Sequence, residues 1–362
     1  MRILVATDAW RPQVNGVVRS LESVAQAARP LGADIDFLTP KDFCCFPMPT
    51  YREISLALAT PRAVRRRLAQ GYDHVHIATE GPIGLAARAV CLRAGRAFTT
   101  SFHTRFPEYI HARTGLPVDW SYAALRRFHN AGAGVMVATP SLARELDARG
   151  FRRLLRWSRG VDHDVFSPAA RIDLDFPRPI FLYAGRLAVE KNIEAFLALD
   201  LPGTKLVAGD GPARAALEAR FPQARFLGYK TPAQLAAIYA ASDVFVFPSR
   251  TDTFGVVLLE ALACGLPVAA YPVTGPLDVI GSSGAGALSE DLRAAALMAL
   301  DIPREAARAH ALTFTWENCA RQFLDNIAYA RGAASLGGVG VAALRASGEN
   351  RESIGKGQII QP

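Results

Sequence analysis

The chain has 362 residues and half of them are apolar, so its length suits two domains that each bury a core. No apolar run reaches the ~18 residues of a membrane-spanning helix, and the first residues lack the layout of a signal peptide. The five cysteines are odd in number and follow no zinc or disulfide spacing, which favours a reducing compartment. We therefore expect a cytoplasmic protein, with peripheral attachment to the cytoplasmic membrane face as an open alternative.

The net charge of +8 is concentrated in the first half of the chain. Residues 1–168 contain 23 Lys or Arg and 14 Asp or Glu, whereas the rest contains 18 and 19. Such a basic field attracts nucleic acid, anionic lipid or an anionic substrate, although a solvated Arg-rich surface explains it equally well. No nucleic-acid motif accompanies the Arg clusters, and no aromatic residues interleave with them. We expect no nucleic-acid partner and keep a basic nucleic-acid-binding protein only as the alternative from another class.

The first half alternates short apolar runs with amphipathic stretches, which is the rhythm of a parallel α/β sheet. It opens with a strand over 3–6, a glycine-containing loop over 8–16 and a helix over 17–28. The further predicted strands are 36–38, 74–77, 97–100 and 135–137, and the further predicted helices are 84–94 and 141–149.

The rhythm restarts after a Pro-rich, charged stretch at 166–179, where we place the domain boundary. The sequence thus predicts two Rossmann-like, doubly wound domains, 1–168 and 169–314. A last helix is expected over 315–330, and residues 332–362, which lack periodicity, are expected to form a disordered tail. In the second domain the predicted strands are 180–184, 205–208, 225–227, 244–247 and 267–271, and the predicted helices are 193–198, 212–220, 232–240 and 256–264.

Two loops that follow strands have the composition of phosphate-binding sites. In the first, Arg186 and Lys191 lie between the carboxyl end of a buried strand and the start of a helix, where two cations suit a diphosphate. Arg binds phosphate oxygens in a bidentate fork, and Lys acts as a compact point charge. A solvated loop is an equally good interpretation of this motif alone.

The second loop leads into a helix and contributes Asp252 and Glu260. The backbone amides of Phe254, Gly255 and Val256 are predicted to lie at the helix N-terminus, where anions bind. A helical rise of ~1.5 Å per residue puts the two carboxylates about 12 Å apart, too far for the acid/base pair of a glycosidase. They suit a grip on separate parts of one long ligand, such as the hydroxyls of a donor sugar and a ribose. A loop acid near an N-cap also explains Asp252, but a lone carboxylate in an apolar helix, as at Glu260, calls for a partner.

Three positions in the first half are candidates for ligand contact. Gly16 stands where a loop meets a helix and would let backbone approach a ligand. His103 follows a predicted strand at the sheet edge where α/β proteins bind ligands, although a structural histidine is the alternative. Glu80 follows the strand at 74–77 and either faces a substrate or caps the next helix.

No metal site is predicted. The spacings Asp34-x-Asp36 and Asp173-x-Asp175 match an Asp-x-Asp metal signature, but the first leads into a strand and the second lies in the linker. The pair His74 and His76 alternates along a strand, so we interpret both as neighbours of core residues rather than zinc ligands.

Taken together, these motifs resemble glycosyltransferase family four, a retaining group with the two-domain GT-B fold. The resemblance covers roughly residues 1–330 and implies two Rossmann-like domains that face a central cleft. The first domain would be the acceptor side, the second would bind the nucleotide sugar, and the last helix would cross back onto the first. The motifs that carry the resemblance are Asn15-Gly16, Phe102-His103-Thr104, Gly160-Val161-Asp162, Gly185-Arg186 with Glu190-Lys191-Asn192, and the stretch from Asp252 to Gly265.

The same resemblance implies how the donor is held. Arg186 and Lys191 would bind its diphosphate, Gly16 would approach the phosphates through its backbone, and Glu260 would bind the ribose. The amides of residues 254–256 would assist.

On the sugar and acceptor side, the resemblance implies that Asp252 contacts hydroxyls of the transferred sugar and that His103 lines the sugar pocket. Glu80 and Arg105 are the candidates for contact with the acceptor. Asp252 is a departure, because the broad family usually has Glu there, and the shorter side chain bears on which sugar is transferred.

The segment Thr251-Asp-Thr-Phe-Gly resembles the branch that contains lipid glycosyltransferases, among them sulfolipid synthases and mannosyl- or glucosyltransferases acting on diacylglycerol-type acceptors. The expected activity is therefore a retaining hexosyltransferase that uses a UDP- or GDP-sugar, with no cofactor and no obligatory metal. The acceptor would be a lipid or a saccharide, and the basic first domain would meet an anionic membrane surface. A nucleotide-sugar epimerase or a phosphorylase-like enzyme on the same fold is the alternative.

Overall fold

A computed structural model describes residues 1–11, 16–48 and 51–335 of the chain. Asn15 and residues 336–362, which carried sequence predictions, lie outside the described residues. Two parallel α/β units make up the described part, and a separate antiparallel hairpin stands beside the first. Within it, no helix combines the length and the apolar content needed to cross a bilayer.

The first domain is built on a six-stranded parallel sheet. The strands are β1 Arg2–Ala6, β2 Asp34–Leu38, the hairpin strands β3 Cys45–Met48 and β4 Tyr51–Ala57, then β5 His74–Ile77, β6 Thr99–Phe102, β7 Gly134–Val137 and β8 Leu154–Arg156. They lie in the order β2-β1-β5-β6-β7-β8, and β5, β6 and β7 are buried along their whole length, as is usual in a parallel sheet. The helices are α1 Gly16–Ala28, α2 Pro61–Leu68, α3 Pro82–Arg93, α4 Phe106–Thr114, α5 Val118–His129 and α6 Pro140–Ala148.

The second domain repeats the architecture with six parallel strands. These are β9 Ile180–Ala184, β10 Thr204–Ala208, β11 Arg225–Gly228, β12 Val244–Phe247, β13 Val268–Ala270 and β14 Gly286–Leu288. They lie in the order β11-β10-β9-β12-β13-β14 and are parallel throughout. Its helices are α7 Ile193–Leu197, α8 Arg214–Arg220, α9 Pro232–Ala241, α10 Val256–Ala263, α11 Pro276–Val279, α12 Leu292–Met298 and α13 Arg304–Ala311, and α14 Trp316–Ser335 follows.

Each sheet reverses its winding direction at one point, and ligands of open α/β sheets bind at the carboxyl ends of the strands there. In the first domain the reversal lies between β1 and β5, and in the second it lies between β9 and β12. The strand order therefore places the loops after β9 and β12 side by side, which are the two loops predicted to bind phosphate.

Local sequence signals explain where many helices begin. Thr60, Thr139 and Thr231 each accept a hydrogen bond from a backbone N–H of the first turn, and a proline follows each of them at the first helical position. Thr231 also forms a capping box with Gln234. These three helices begin within a residue of a Thr-Pro pair, so their start points are encoded locally.

The last helix returns to the first domain. Cys319, Phe323 and Ile327 of α14 pack with Ile3 and Val5 of β1 in one buried cluster. The helix ends at Ser335, so residues 332–335 of the segment predicted as a disordered tail are helical.

Gly160 permits the crossing, because a Cβ at this position would lie 2.4 Å from the backbone nitrogen of Trp316. Val161 donates its backbone N–H to the carbonyl of Phe314 across the same crossing. Val161 and Phe166 already pack in the core of the second domain, although both precede residue 168.

Some elements differ from the sequence predictions. Strand β6 begins two residues later than expected. The elements that were not predicted are the hairpin, α2, α4, α5 and β8 in the first domain and α11, α12, α13 and β14 in the second. The segment 104–130 mixes charged and aromatic residues without a clean period, so the α4–α5 pair left no strong helical signal.

Candidate active site between the two domains

The loops after β9 and β12 are joined by an ion pair between Lys191 and Asp252. Lys191 Nζ lies 2.6 Å from Asp252 Oδ1, and both side chains are mostly buried. Burial alone would lower the pKa of Lys191, but the Asp252 carboxylate and its hydrogen bond raise it overall. The lysine is therefore a fixed positive charge at this sheet edge. The other oxygen of Asp252, Oδ2, is buried and has no hydrogen-bond partner among the described residues.

Further contacts hold the two loops together. The side chain of Asn192 donates to the carbonyl of Pro248 at 3.0 Å, and Thr251 Oγ1 donates to the carbonyl of Glu190 at 3.2 Å. Arg186 is half-buried in the same loop, directly after Gly185, and Tyr183 donates its hydroxyl to the Arg186 carbonyl. Both predicted phosphate-binding cations thus sit on one ordered surface.

Two helix N-termini face each other across the domain boundary. Helix α10 begins after Gly255, which has a φ of 81° and provides no side-chain cap. A left-handed residue at that point favours glycine, so the turn directs the chain from β12 into α10. A Cβ on Gly16, the first residue of α1, would lie 4.0 Å from Cγ2 of Val256. The first amides of a helix have no intrahelical acceptor, so the gap between α1 and α10 carries positive potential from both sides.

Glu260, which lies in an otherwise apolar helix, forms an ion pair with an arginine of the first domain. Arg19 Nη1 of the first domain lies 2.7 Å from Glu260 Oε1, and the Tyr239 hydroxyl donates to Oε2 at 3.4 Å. Burial raises the pKa of Glu260, while the Arg19 guanidinium and the hydrogen bonds oppose that rise. Arg19 also stacks near the Phe166 ring. The sequence reasoning missed Arg19, since an arginine one turn into an amphipathic helix looks like any solvated charge.

His103 lies at the carboxyl end of β6 and contacts the second domain. Thr253 Oγ1 donates to the His103 carbonyl at 2.7 Å, and Thr139 of the first domain donates to the Thr253 carbonyl at 3.4 Å. On the ring, Nδ1 is 3.0 Å from Nη2 of Arg159, whereas Nε2 is buried without a partner among the described residues. Burial, and then the charge of Arg159, lower the pKa of His103 well below its usual value.

Tyr109 of α4 closes the edge of the site. Its hydroxyl hydrogen-bonds the side chain of Thr251 and lies in the field of Lys191 and Asp252, while burial raises its pKa. No sequence motif singled out Tyr109. Its position in a helix that had itself escaped prediction explains the omission.

The two acceptor-side candidates both make contacts within the first domain. Arg105 is 8% exposed and binds both carboxylate oxygens of Glu145, at 2.9 and 2.7 Å. Glu80 lies 3.0 Å from Nε2 of the fully buried His129. Both side chains are engaged inside the fold, and their contact with an acceptor stays a prediction.

Glu80 does not cap α3 either. Asp8 accepts from the backbone N–H groups of Ile83 and Gly84 and from the Thr79 hydroxyl. The N-terminus of α3 is therefore satisfied by an acid from the end of β1, which no local pattern revealed.

His74 and His76 lie in the core, as their alternation on a strand indicated. His74 Nε2 and His76 Nδ1 each lie 2.9 Å from the Thr99 hydroxyl, and His76 Nε2 lies 2.6 Å from the Ser101 hydroxyl. Within the part of the chain that the structure describes, no group of three or more His, Cys, Asp or Glu is arranged to hold a metal.

Comparison with known proteins agrees with this arrangement. Residues 14–165 match the model described as Glycosyltransferase Family 4, and residues 178–301 match the model described as Glycosyl transferases group 1. A GDP-mannose-dependent alpha-mannosyltransferase of Mycobacterium tuberculosis is 30% identical over 77% of this chain and 81% of its own length. The sulfoquinovosyl transferase SQD2 of Arabidopsis thaliana is 32% identical over 65% of this chain and 50% of its own length.

The fold is shared with a solved sucrose-phosphate synthase from Thermosynechococcus elongatus, with a TM-score of 0.74 at 20% identity. That likeness covers 92% of this chain and 99% of the other. Two parallel α/β domains that meet at their switch points define the GT-B fold of glycosyltransferases. The chain belongs to glycosyltransferase family 4 and is a hexosyltransferase of the branch that contains lipid glycosyltransferases.

Proposed function

We propose that the protein transfers a hexose from a UDP- or GDP-sugar to a hydroxyl of a membrane lipid acceptor such as diacylglycerol, which gives a glycolipid, with retention of the anomeric configuration. The main support for the proposal is that two cationic side chains and two helix N-termini lie together where the sheets of the two domains reverse their winding direction. Arg186 and Lys191 come from the loop after β9, and the N-termini of α1 and α10 oppose each other beside them. A nucleotide diphosphate is an anion of the size and charge that such a surface binds.

Charge stabilisation would be the main source of rate. As the bond to the sugar breaks, negative charge grows on the departing diphosphate, and preoriented cations and amides stabilise that charge without reorganisation. Lys191 is suited to this task because its raised pKa keeps it charged at neutral pH. The donor phosphate would accept the proton of the attacking hydroxyl, so the mechanism requires neither a protein nucleophile nor an obligatory metal.

Two unpartnered polar atoms support a sugar subsite beside the phosphates. Asp252 Oδ2 is an acceptor and His103 Nε2 is a ring nitrogen, and both are buried without partners among the described residues. Thr253, the neighbour of Asp252, hydrogen-bonds the His103 backbone, so the two atoms border the same contact between domains. Sugar hydroxyls both donate and accept, which suits such a pair. The atoms are closed to water here, so a donor would reach them when the loop 251–255 and β6 separate.

Exposed apolar side chains near the site support a lipid acceptor. Trp120 is 71% exposed, and Phe106, Ile110 and Leu116 are also exposed on the same α4–α5 segment. Helix α4 also holds Tyr109 at the edge of the site. Apolar residues of this kind enter the boundary between lipid headgroups and acyl chains, and the basic first domain would add attraction to anionic lipid.

The test is a screen of UDP- and GDP-sugars for nucleotide release by the full-length protein, with and without diacylglycerol vesicles or free sugar acceptors. We expect release with one donor class, stimulated by a lipid acceptor, and an α-anomeric product by NMR. The absence of release from every donor would contradict the transferase proposal. Conversion of the donor to its epimer without any acceptor would instead favour the epimerase alternative.

Membrane contact is tested separately. Sedimentation with phosphatidylglycerol vesicles should exceed sedimentation with phosphatidylcholine vesicles and should weaken in Trp120→Ser. The matched control is Tyr229→Ser, because Tyr229 is 57% exposed on the second domain. Equal binding of both variants would remove the α4–α5 segment from the proposal.

A further inference from the structure

Arg159 is a buried arginine to which the proposed function assigns no role. It follows β8, its residue exposure is 5%, and no carboxylate lies within ion-pair distance of it among the described residues. Burial lowers the pKa of Arg159 to about 10, so it stays charged at neutral pH. A buried charge without a counter-charge is costly, and the hydrogen bonds that it makes have to offset that cost.

The guanidinium is fixed by three hydrogen bonds and one ring. Nη1 donates to the carbonyls of Trp157 at 2.7 Å and Ser158 at 2.8 Å, and the group lies 4.5 Å from the Trp157 ring centroid. Nη2 is then left to reach Nδ1 of His103 at 3.0 Å. Because the first contacts hold Arg159 in one orientation, its contact with the histidine is defined by the backbone of residues 157–158.

The chemistry of this contact determines the state of the imidazole. An arginine can only donate, so Nδ1 of His103 accepts and carries no proton. In the neutral ring the single proton then resides on Nε2, the atom that is buried without a protein partner. Protonation of the ring would place a second N–H against the Arg159 donor, which disfavours the charged form.

We propose that Arg159 is a positioning residue that fixes His103 as the neutral Nε2–H tautomer and so presents a hydrogen-bond donor to an oxygen of the bound hexose. The proposal rests on the proposed function, because it assigns the unpartnered Nε2–H to the sugar subsite. Through this contact, Arg159 would favour a sugar hydroxyl that accepts at that point over a position with no oxygen. Arg159 itself touches neither the donor nor the acceptor.

The tautomer is tested on the free protein by long-range ¹H–¹⁵N correlation of ¹⁵N-histidine, with His103 assigned through His103→Gln. We expect a protonated Nε2 and an unprotonated Nδ1 in the wild type and in Arg159→Lys, which keeps one charged donor. Arg159→Met should populate the Nδ1–H tautomer. The matched control is Arg152→Met, an exposed arginine of the loop before β8, which should leave the His103 signals unchanged. An unaltered Nε2–H tautomer in a folded Arg159→Met would overturn the proposal.

Kinetics distinguish positioning from a general structural role. Arg159→Met should lower kcat/KM about tenfold, the cost of roughly one well-placed hydrogen bond. In a His103→Ala background the same change should have little further effect, since its action passes through the histidine. Additive losses would contradict the proposal. If Arg159→Met does not fold, the tautomer of His103 is measured in Arg159→Lys instead. Loss of the His103 Nε2–H tautomer in that variant would contradict the inference. If no donor is turned over, only the proposed function fails, because the tautomer is read without substrate.

Discussion

Arg19 and Glu260 form an ion pair of 2.7 Å that joins the first domain to the second. Each residue lies about one turn into its helix, α1 or α10, and the first residues of the same helices, Gly16 and Val256, also face each other. The pair is therefore a second contact between α1 and α10 across the domain boundary. The family resemblance implies that the Glu260 carboxylate would also bind the ribose, in which case the donor and the domain contact would compete for one group.

Removal of Arg19 should destabilise the protein. Arg19→Met leaves the Glu260 carboxylate buried without its counter-charge and hydrogen-bond donor, and we expect a loss of ~1–3 kcal/mol in the free energy of unfolding. Glu260→Gln in the same chain should restore part of it, which a double-mutant cycle in urea denaturation measures. The control is Arg11→Met, because Arg11 pairs with Glu22 on the exposed surface, where loss of a pair costs ~0–1 kcal/mol. Equal effects of the two methionine variants would contradict the role of the buried pair.

Lys191 should be needed for turnover rather than for folding. Lys191→Ala removes the charge nearest to Asp252, and we expect kcat to fall by a factor of about 100 or more, since electrostatic stabilisation acts on the transition state. Circular dichroism should still show a folded protein, whereas the thermal midpoint should fall, because Asp252 loses the partner of a mostly buried ion pair. Lys41→Ala is the matched control on the exposed surface of the first domain. Unchanged kinetics in Lys191→Ala would remove Lys191 from the mechanism.

The buried histidines of β5 should make the protein sensitive to acid. Burial lowers the pKa of His74 to about 3 and that of His76 well below 6.5. Below about pH 6.5 the unfolded chain binds protons that the folded chain does not, so stability falls as the pH falls. The expected slope is ~1.4 kcal/mol per pH unit for each histidine.

Urea denaturation between pH 7 and pH 5 measures that slope. It should be shallower in His76→Gln, which cannot take up a proton, and unchanged in the control His111→Gln, because His111 is exposed. A wild-type slope that matches His76→Gln would contradict the assignment.

Gly160 should tolerate no side chain. A Cβ there would lie 2.4 Å from the Trp316 nitrogen and 2.5 Å from the Thr315 carbonyl carbon, both of them backbone atoms. Gly160→Ala should therefore displace α14 and lower the free energy of unfolding by ~1–3 kcal/mol. Gly332→Ala, in the exposed last turns of the same helix with open space around its Cβ position, should instead be neutral or stabilising by up to ~1 kcal/mol. Thermal denaturation that fails to separate the two variants would contradict this account of the crossing.

The sequence predicted the second domain better than the first. Its strands β9 and β12 are short, wholly apolar runs, so they begin and end where the pattern indicated. In the first domain the hairpin at 45–57 and helices α4 and α5 carry mixed aromatic and charged residues, and their structure depends on packing that no local window contains.

The site divides in the same way. Lys191, Asp252 and Glu260 could be found because each interrupts a strong local pattern at the end of a strand or inside an apolar helix. Arg19 and Arg105 could not be assigned, since the first is paired by a residue 241 positions away and the second by Glu145. In the sequence, an arginine that pairs with a distant segment cannot be distinguished from an arginine that is exposed to solvent.

The return of α14 has a consequence for synthesis of the protein on the ribosome. Residues of the first strand and of the last helix share one buried cluster, whereas the core of the second domain draws on residues from Ala138 to Ala311. The emerging chain can thus complete the second domain before the first, which waits with part of its apolar face uncovered until translation has reached Ile327. The domain whose synthesis begins first is therefore the last to complete its buried core.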